Sequence, residues 1–350
     1  MASNSGLGWR AIKVGGSAVA VLGASLGLLA NRRIAAVKSM NHPELDALME
    51  VPTDVFHGSM ATEDGGKVHY VDTDPDGSNR PTVVLLHGIT NQWFTWSSVI
   101  NDLRADHRVI AWDMRGFGDS EAGAKGVDLG AAADDLSNLL AALDLDGVVI
   151  VGHSMGGMVL GRFVADHPAM LHDRVRGLQF LGTTGKALGG SFAAGGLVRL
   201  TSIAAHLVDH GVSGARLTWQ NEDIAILLLR SGFGRVATAK MIDWSRRCQA
   251  ETSERSFREG THAICAHSVL DQLAAASEPQ AIPTHIMVGS LDRLTTPLHS
   301  YALQQAVPHA TLYELEGVGH NVMYEDPRPI SRSVRSLSSS EAIPARQGRR

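Results

Sequence analysis

Three side chains in this sequence have the types and surroundings needed for nucleophilic catalysis. The first, Ser154, stands in the pattern G-x-S-x-G at Gly152–Gly156, directly after the apolar run Val148–Val151 and directly before a helix-like segment. A strand, a tight turn and a helix in that order lift a serine hydroxyl to the edge of a sheet, where the helix N-terminus favours developing negative charge. Ser154 is therefore predicted to be a nucleophile.

A serine hydroxyl also needs a base that takes its proton and an acid that orients the base. Asp292 follows the apolar strand that ends at Gly289, and His320 lies in a glycine-containing loop after the strand-like run Thr311–Leu315. Because the carboxyl ends of parallel strands meet at one edge of a sheet, these loops can bring both side chains to Ser154. The order Ser, Asp, His predicts His320 as the base and Asp292 as the acid that orients it.

Acyl transfer further requires hydrogen-bond donors for an oxyanion. One predicted donor is the backbone N–H of Met155, which follows the nucleophile. The other is the backbone N–H of Ile89, in the loop after the strand-like run Thr82–Leu86, where Gly88 lets the backbone bend toward the site. The histidines at 87 and 153 are expected to brace and pack rather than to transfer protons.

Apolar runs alternate with helix-like segments over most of the chain, which predicts a mostly parallel sheet covered by helices on both faces. Residues 183–278 break this alternation, because they contain helix-forming stretches and no convincing strand. A helical cap over the carboxyl edge of the sheet is the simplest interpretation. The predicted units are a hydrophobic N-terminal segment (1–40), a first core part (41–182), the cap (183–278), a second core part (279–330) and a basic, disordered tail (331–350).

The N-terminus contains a candidate membrane segment. Residues 14–30 are uncharged and bounded by Lys13 and Arg32–Arg33, and as a helix they would span roughly 26 Å, against about 30 Å of bilayer core. Residues 12–31 are therefore expected to associate with a membrane as a single spanning helix or signal anchor. A cleaved signal peptide and a helix lying on the membrane or on the protein surface remain alternatives. The rest of the chain would be cytoplasmic or exported.

Composition excludes several other classes of function. The net charge is −5. Residues 1–40 and 328–350 each carry a net charge of +5, so the region between them carries −15 and is unsuited to nucleic acid. Two cysteines rule out a disulfide scaffold and a cysteine-based zinc site, and no HExxH spacing is present. No metal or organic cofactor is expected, because a serine triad needs none.

The chain resembles the α/β-hydrolase family from about Val55 to Pro327. Four motifs carry the resemblance: LLHG at Leu85–Gly88, DMRGFGDS at Asp113–Ser120, GHSMGG at Gly152–Gly157, and GSLD with VGH near the end. The resemblance implies an eight-stranded sheet, a helical cap between the sixth and seventh strands, and Ser154, Asp292 and His320 as the triad. The segment Asp113–Ser120 is similar to a structural turn of the family and is given no catalytic role.

Departures from related patterns narrow the expected chemistry. Epoxide hydrolases and haloalkane dehalogenases of this fold use an aspartate nucleophile, which Ser154 excludes, and Ile89–Thr90 lacks the proline of the epoxide-hydrolase loop. The HGGG motif of some lipases and the tryptophan of prolyl iminopeptidases are also absent. A hydrophobic segment before GHSMGG is similar to membrane-bound monoacylglycerol lipases.

These observations favour a serine hydrolase that cleaves a carboxylic ester, with a lipophilic small molecule as substrate, in the manner of a carboxylesterase or lipase. Trp93, Trp96 and Phe233 are the predicted lining of an apolar substrate pocket. Two alternatives stay open. A cofactor-free perhydrolase or haloperoxidase would use the same triad, and a ligand-sensing hydrolase-like protein would bind without appreciable turnover.

Overall fold

Eight strands form a single sheet in the computed structural model, which describes residues 32–77, 79–188, 226, 229–276 and 282–339. In chain order they are β1 (Phe56–Ala61), β2 (Lys67–Asp72), β3 (Thr82–Leu86), β4 (Arg108–Trp112), β5 (Val148–His153), β6 (Val175–Leu181), β7 (Thr284–Gly289) and β8 (Thr311–Leu315). Their spatial order is β1-β2-β4-β3-β5-β6-β7-β8. Strands β1 and β2 pair antiparallel, and β2 also pairs antiparallel with β4, while the other pairs are parallel. The predicted mostly parallel, eight-stranded sheet is confirmed.

Helices cover both faces of this sheet, because the central strands are apolar on both sides and must be shielded from water. In chain order the α-helices that follow the helical residues 32–38 and are described from end to end are α1 (Pro43–Leu48), α2 (Ser97–Leu103), α3 (Leu129–Ala142), α4 (Met155–Asp166), α5 (Pro168–Arg174), α6 (Ala239–Glu251), α7 (Glu254–Ala266), α8 (Leu270–Ala276), α9 (Pro297–Ala306), α10 (Val322–Glu325) and α11 (Arg328–Ser339). Buried side chains of α3, α4, α8 and α9 form one apolar cluster with the sheet. Those of α2, α10 and α11 form the second cluster on the other face.

Helix α11 corrects the expectation of a disordered tail from residue 331. The chain is helical through Ser339, and Val334 and Leu337 are buried in the core. These side chains follow Ile330 at spacings of four and seven residues, which is the spacing of one helix face. This helical spacing is inconspicuous in the sequence, because serines and arginines occupy most of the positions between the apolar residues. The rest of the predicted tail, residues 340–350, lies outside the described residues.

Between β6 and β7 the structure describes three helices from end to end, α6, α7 and α8, joined by turns and irregular segments. No strand occurs among the described residues of this interval, in agreement with the expected helical cap. Helix α6 is joined to the N-terminal part of the chain, because Thr238 donates a hydrogen bond to Asp46 at 2.7 Å and Lys240 donates to the Asp46 carbonyl at 2.6 Å. Just before α6, residues 229–235 form what we call the cap arm.

The predicted membrane segment, residues 12–31, lies outside the described residues. Of the helices that the structure describes, none combines the length and the hydropathy needed to cross a bilayer.

Candidate active site

Ser154 sits on a strained turn between β5 and α4. Its φ is 52° and its ψ is −118°, a region that residues with a side chain rarely adopt. The turn is held by hydrogen bonds on both sides, since the Ser154 amide donates to the Leu181 carbonyl at 3.0 Å and the Thr183 hydroxyl donates to the Ser154 carbonyl at 2.6 Å. The fold therefore fixes the backbone that presents this hydroxyl.

The glycines around Ser154 are required by close backbone contacts. A Cβ at Gly152 would lie 2.6 Å from the Gly156 carbonyl oxygen, and one at Gly156 would overlap the Leu86 carbonyl oxygen. Both clashes are with main-chain atoms, which cannot move aside as a flexible side chain can. The G-x-S-x-G pattern is thus the local condition for packing α4 against the end of β3.

His320 and Asp292 meet at the same edge of the sheet, from the loops after β8 and β7. The His320 Nδ1–H donates to Asp292 Oδ2 at 2.9 Å, and the Thr295 hydroxyl donates to the same oxygen at 2.8 Å. The other carboxylate oxygen accepts the backbone amides of Leu294 and Thr295 at 2.8 and 2.9 Å. With Nδ1 occupied by Asp292, Nε2 is the nitrogen that His320 has left for proton transfer.

Asp292 is suited to remain ionised. Its burial alone would raise its pKa, but the facing His320 and the hydrogen bonds from His320, Thr295 and Leu294 outweigh that effect and lower the pKa below its ordinary value. The carboxylate can thus hold the His320 tautomer and stabilise the positive ring that forms when His320 takes a proton.

His153, next to the nucleophile, holds the base through its backbone. Its Nε2–H donates to the His320 carbonyl oxygen at 2.9 Å, and the two rings are 4.8 Å apart between centroids. Burial, with a smaller contribution from His320, lowers the pKa of His153 to about 3, so the ring is neutral at physiological pH. The expectation that His153 packs rather than transfers protons agrees with this arrangement.

The loop predicted to supply an oxyanion donor passes close to Ser154. A Cβ on Gly88 would lie 3.1 Å from the Ser154 Cβ. His87 braces the loop, because its Nδ1–H donates to the Gly88 carbonyl at 2.7 Å while its Nε2 accepts the Met114 amide at 2.8 Å. Burial lowers the pKa of His87, which favours this neutral form.

The two candidate oxyanion donors flank the nucleophile. Met155 is the first residue of α4, where backbone amides have no partner within the helix. Ile89 lines the cavity described below, and Thr90 after it has a φ of 63°, a second strained position at this site.

A cavity of about 180 Å³ contains Ser154 and His320 in its wall. Seven of the seventeen other described lining residues are apolar, and they come from the oxyanion loop, the cap and the loop after β7: Ile89, Leu188, Leu229, Phe233, Phe257, Ile264 and Leu294. Polar side chains of Asn91, Gln249 and Asn321 also line it. The cap therefore forms much of the cavity wall, and Phe233, which the sequence predicts as a lining residue, is part of it.

Trp93 and Trp96 were expected to line the pocket, and the structure places both elsewhere. Trp96 is fully buried, and its ring packs edge-on against His153 with 6.4 Å between the ring centroids. The Trp93 amide donates to Asp113 Oδ1 at 2.7 Å, and the Trp93 ring contacts His57 and Phe94. Both tryptophans lie on a short 3-10 helix, Trp93–Trp96, and neither is among the described residues that line the cavity.

One group of metal-binding residue types comes together among the described residues: His69, Asp113 and Asp119. Hydrogen bonds within the fold account for it. Asp113 accepts the His69 ring at 2.8 Å and the Asp119 amide at 3.1 Å on one oxygen, and the Trp93 amide on the other. The Asp113–Ser120 segment thus anchors the loop that follows β3, as expected for a structural turn.

Comparisons with known proteins agree with this fold. Residues 81–327 match the family model of the alpha/beta hydrolase fold. Among solved structures, a bromoperoxidase from Bacillus anthracis has a TM-score of 0.68 and 19% identity, and an esterase from Exiguobacterium antarcticum has a TM-score of 0.67 and 19% identity. Each alignment covers 81% of this chain and 100% of the other. At such identities the likeness shows the fold alone.

One curated relative is a soluble epoxide hydrolase from a Corynebacterium strain, 39% identical over 115 residues. That match covers 33% of this chain and 38% of the relative. The chain therefore spans little more than a third of that enzyme's length.

Proposed function

Because the chain belongs to the alpha/beta hydrolase fold family, we propose that it is a serine hydrolase that cleaves a carboxylic ester through an acyl-enzyme. The observation that carries this proposal is the hydrogen bond of 2.9 Å between His320 Nδ1 and Asp292, in a cavity whose wall also contains Ser154 on its strained turn. A nucleophile, a base and an acid that orients the base are the parts that acyl transfer requires.

In the proposed reaction, His320 Nε2 takes the hydroxyl proton of Ser154 as the oxygen attacks the ester carbonyl carbon. Negative charge develops on the carbonyl oxygen, which the amides of Met155 and Ile89 stabilise. The bond to the alcohol breaks as His320 returns the proton to the leaving oxygen, and the acyl group stays on Ser154. Water, deprotonated by the same nitrogen, then attacks the acyl carbon, releases the acid and restores the serine.

The lining of the cavity supports a lipophilic substrate. Seven of its described residues are aliphatic or phenylalanine side chains, and no aspartate or glutamate lies among the described lining residues. An apolar wall favours an apolar acyl chain or alcohol, because burying that surface removes it from water. Association with a membrane through residues 12–31 would suit such a substrate and remains a proposal from the sequence.

The chemical type of the nucleophile favours an ester substrate over an epoxide. Epoxide hydrolases of this fold attack with a carboxylate, whereas the turn after β5 carries the Ser154 hydroxyl. The similarity to the Corynebacterium enzyme covers a third of this chain. We therefore assign the shared segment to the fold and not to the reaction.

The test is the hydrolysis of p-nitrophenyl esters with acyl chains of two to sixteen carbons, together with labelling by a fluorophosphonate. Wild-type protein should turn over the esters and carry the label on Ser154, and Ser154→Ala should lose both. Ser59→Ala, a change of the same kind on the exposed part of β1, should leave both intact. Turnover that persists in Ser154→Ala would refute the mechanism.

Two further substrates test the alternatives. Styrene oxide would be the better substrate of an epoxide hydrolase. Bromination of monochlorodimedone with peroxide, bromide and a carboxylate, without ester hydrolysis, would indicate a perhydrolase or haloperoxidase. Stoichiometric labelling without turnover of any of these compounds would favour a ligand-sensing role.

A further inference from the structure

The cap arm and the loop that carries His320 lie backbone against backbone. The Arg235 amide donates to the Gly317 carbonyl at 2.7 Å, and the His320 amide donates to the Gly232 carbonyl at 2.8 Å. We call residues 317–320 the histidine loop. Its contact with the cap arm therefore reaches the backbone of the candidate base itself.

No side chain fits between these two segments. A Cβ on Gly234 would lie 2.6 Å from the Gly319 amide nitrogen, and a Cβ on Gly319 would lie 2.7 Å from the Gly232 carbonyl oxygen. The approach leaves the amides of Gly234 and Gly319 between the two segments, and buried amides without acceptors would be costly.

One carboxylate oxygen satisfies both amides. Glu325 Oε2 accepts the Gly234 amide at 2.6 Å and the Gly319 amide at 3.0 Å, so it bridges the cap arm and the histidine loop. The residue is only 4% exposed. Its other oxygen, Oε1, is buried and has no hydrogen-bond partner among the described residues.

We propose that Glu325 is a positioning residue whose carboxyl group clamps the cap arm to the histidine loop and so couples the wall of the substrate cavity to the base. The cap arm lines the cavity through Leu229, Gly232 and Phe233, while the histidine loop contributes His320. A shift of the arm would therefore change the shape of the cavity and the place of the base together. The effect on turnover rests on the proposed function, whereas the clamp itself does not.

The clamp depends on pH, with a sign that follows from linkage. Burial raises the pKa of Glu325 from 4.5 to about 7, against the opposing effects of the Gly319, Gly234 and Asn321 amides and of the Arg230 guanidinium on the cap arm. Because the closed clamp has the higher pKa, closure and proton binding favour each other. Closure is thus most favourable below about pH 4.5 and weakens as the pH rises from there to about 7.

The size of this effect follows from the two pKa values. If opening hydrates Glu325 and returns its pKa to 4.5, the ratio of closed to open clamp should fall about tenfold between pH 6 and pH 8. A glutamine at this position would still accept both amides but would not titrate. A leucine would fill similar space and accept neither.

Hydrogen–deuterium exchange of the Gly234 and Gly319 amides, corrected for the intrinsic rate at each pH, tests the clamp without any substrate. Protection in the wild type should fall about tenfold from pH 6 to pH 8. Glu325→Gln should keep its protection at both values, and Glu325→Leu should lose it at both. Unchanged protection in folded Glu325→Leu, or a wild-type pH dependence retained in Glu325→Gln, would overturn the proposal.

Kinetics with p-nitrophenyl butyrate extend the test to function. Glu325→Leu should lower kcat/KM at least tenfold, whereas Glu325→Gln should retain most of the wild-type value. A role limited to filling the core does not predict this difference, because leucine also fills the space. Glu316→Gln is the matched control, since Glu316, the residue before the histidine loop, forms an exposed ion pair of 2.9 Å with Arg235 of the cap arm, and its removal should change little. Altered exchange without altered kinetics would overturn the coupling to the base. Absence of ester turnover in the wild type would instead count against the proposed function and leave the exchange test intact.

Discussion

The replacement Asp292→Asn should remove the base while leaving the fold and the cavity in place. In the structure, Asp292 Oδ1 accepts two backbone amides, and these donors cannot change their protonation. An asparagine would keep its carbonyl oxygen toward them and turn its NH₂ group toward His320 Nδ1. Two donors cannot face each other, so His320 would take the tautomer with its proton on Nε2. That nitrogen could then no longer accept the proton of Ser154.

The expected fall in kcat follows from the loss of the correct His320 tautomer rather than from the loss of one hydrogen bond. Removal of a triad acid in this way costs about 10³- to 10⁴-fold in kcat, or roughly 4–5.5 kcal/mol of transition-state stabilisation. KM should change little, because Asp292 does not line the cavity. Thr295→Val removes only the hydroxyl that donates to Asp292 at 2.8 Å, and should cost about 1 kcal/mol, or three- to tenfold.

The assay is the initial rate of p-nitrophenyl butyrate hydrolysis over a range of concentrations, with circular dichroism and thermal unfolding to show that each variant is folded. Asp243→Asn is the matched control, because Asp243 is exposed and pairs with Arg246 on the surface of α6. It should retain its full rate. A folded Asp292→Asn protein that keeps more than a tenth of the wild-type kcat would refute the assignment of Asp292 as the acid that orients His320.

Three further outcomes follow from the packing. Gly156→Ala should lower the free energy of unfolding by about 1–3 kcal/mol in urea titration, because its Cβ would overlap a main-chain oxygen of Leu86; an unchanged midpoint would contradict that clash. Arg115→Ala should lower the free energy of unfolding by about 3–5 kcal/mol in the same titration, because it leaves the carboxylates that bind this buried guanidinium unpaired. A loss below 1 kcal/mol would contradict a stabilising role of these buried ion pairs. Iodoacetamide should modify Cys265 in the native protein and spare Cys248, because Cys248 is fully buried and burial raises the pKa of its thiol to about 12; equal rates by mass spectrometry would contradict this.

The sheet and the placement of Ser154, Asp292 and His320 were predictable because their signals are local. An apolar run such as Thr82–Leu86 has few alternatives to a buried strand, and the structure has a strand over the same residues. The three polar residues each follow such a run, and parallel strands bring their carboxyl ends together. Sequence order alone therefore predicts that the side chains can meet, although it cannot supply the distances.

The tryptophans show where this reasoning fails. Trp93 and Trp96 follow the oxyanion loop closely in sequence, which suggested that they face the substrate. The chain reverses at Thr90, whose φ is 63°, and the Trp93 amide is then bound by Asp113, twenty residues away. Nothing in the local sequence predicts that turn, because a β-branched residue rarely adopts a positive φ.

The glycines of the cap arm and the histidine loop could not be interpreted from sequence for a related reason. Locally, Gly232, Gly234, Gly317 and Gly319 indicate turns. In the fold they also allow two segments more than eighty residues apart to touch through their backbones, a requirement that only the partner segment reveals.

Because of the contact between the cap arm and the histidine loop, the position of His320 depends on backbone hydrogen bonds as well as on its side chain. The backbone of His320 is held at its amide by the Gly232 carbonyl and at its carbonyl by the His153 ring, while its side chain is held at Nδ1 by Asp292. Two of these three attachments depend on main-chain positions rather than on the identity of the base. A substitution in the cap that shifts Gly232 should therefore alter the rate of catalysis without contacting the substrate, Ser154 or the imidazole. For this reason the cap is expected to influence kcat as well as substrate choice.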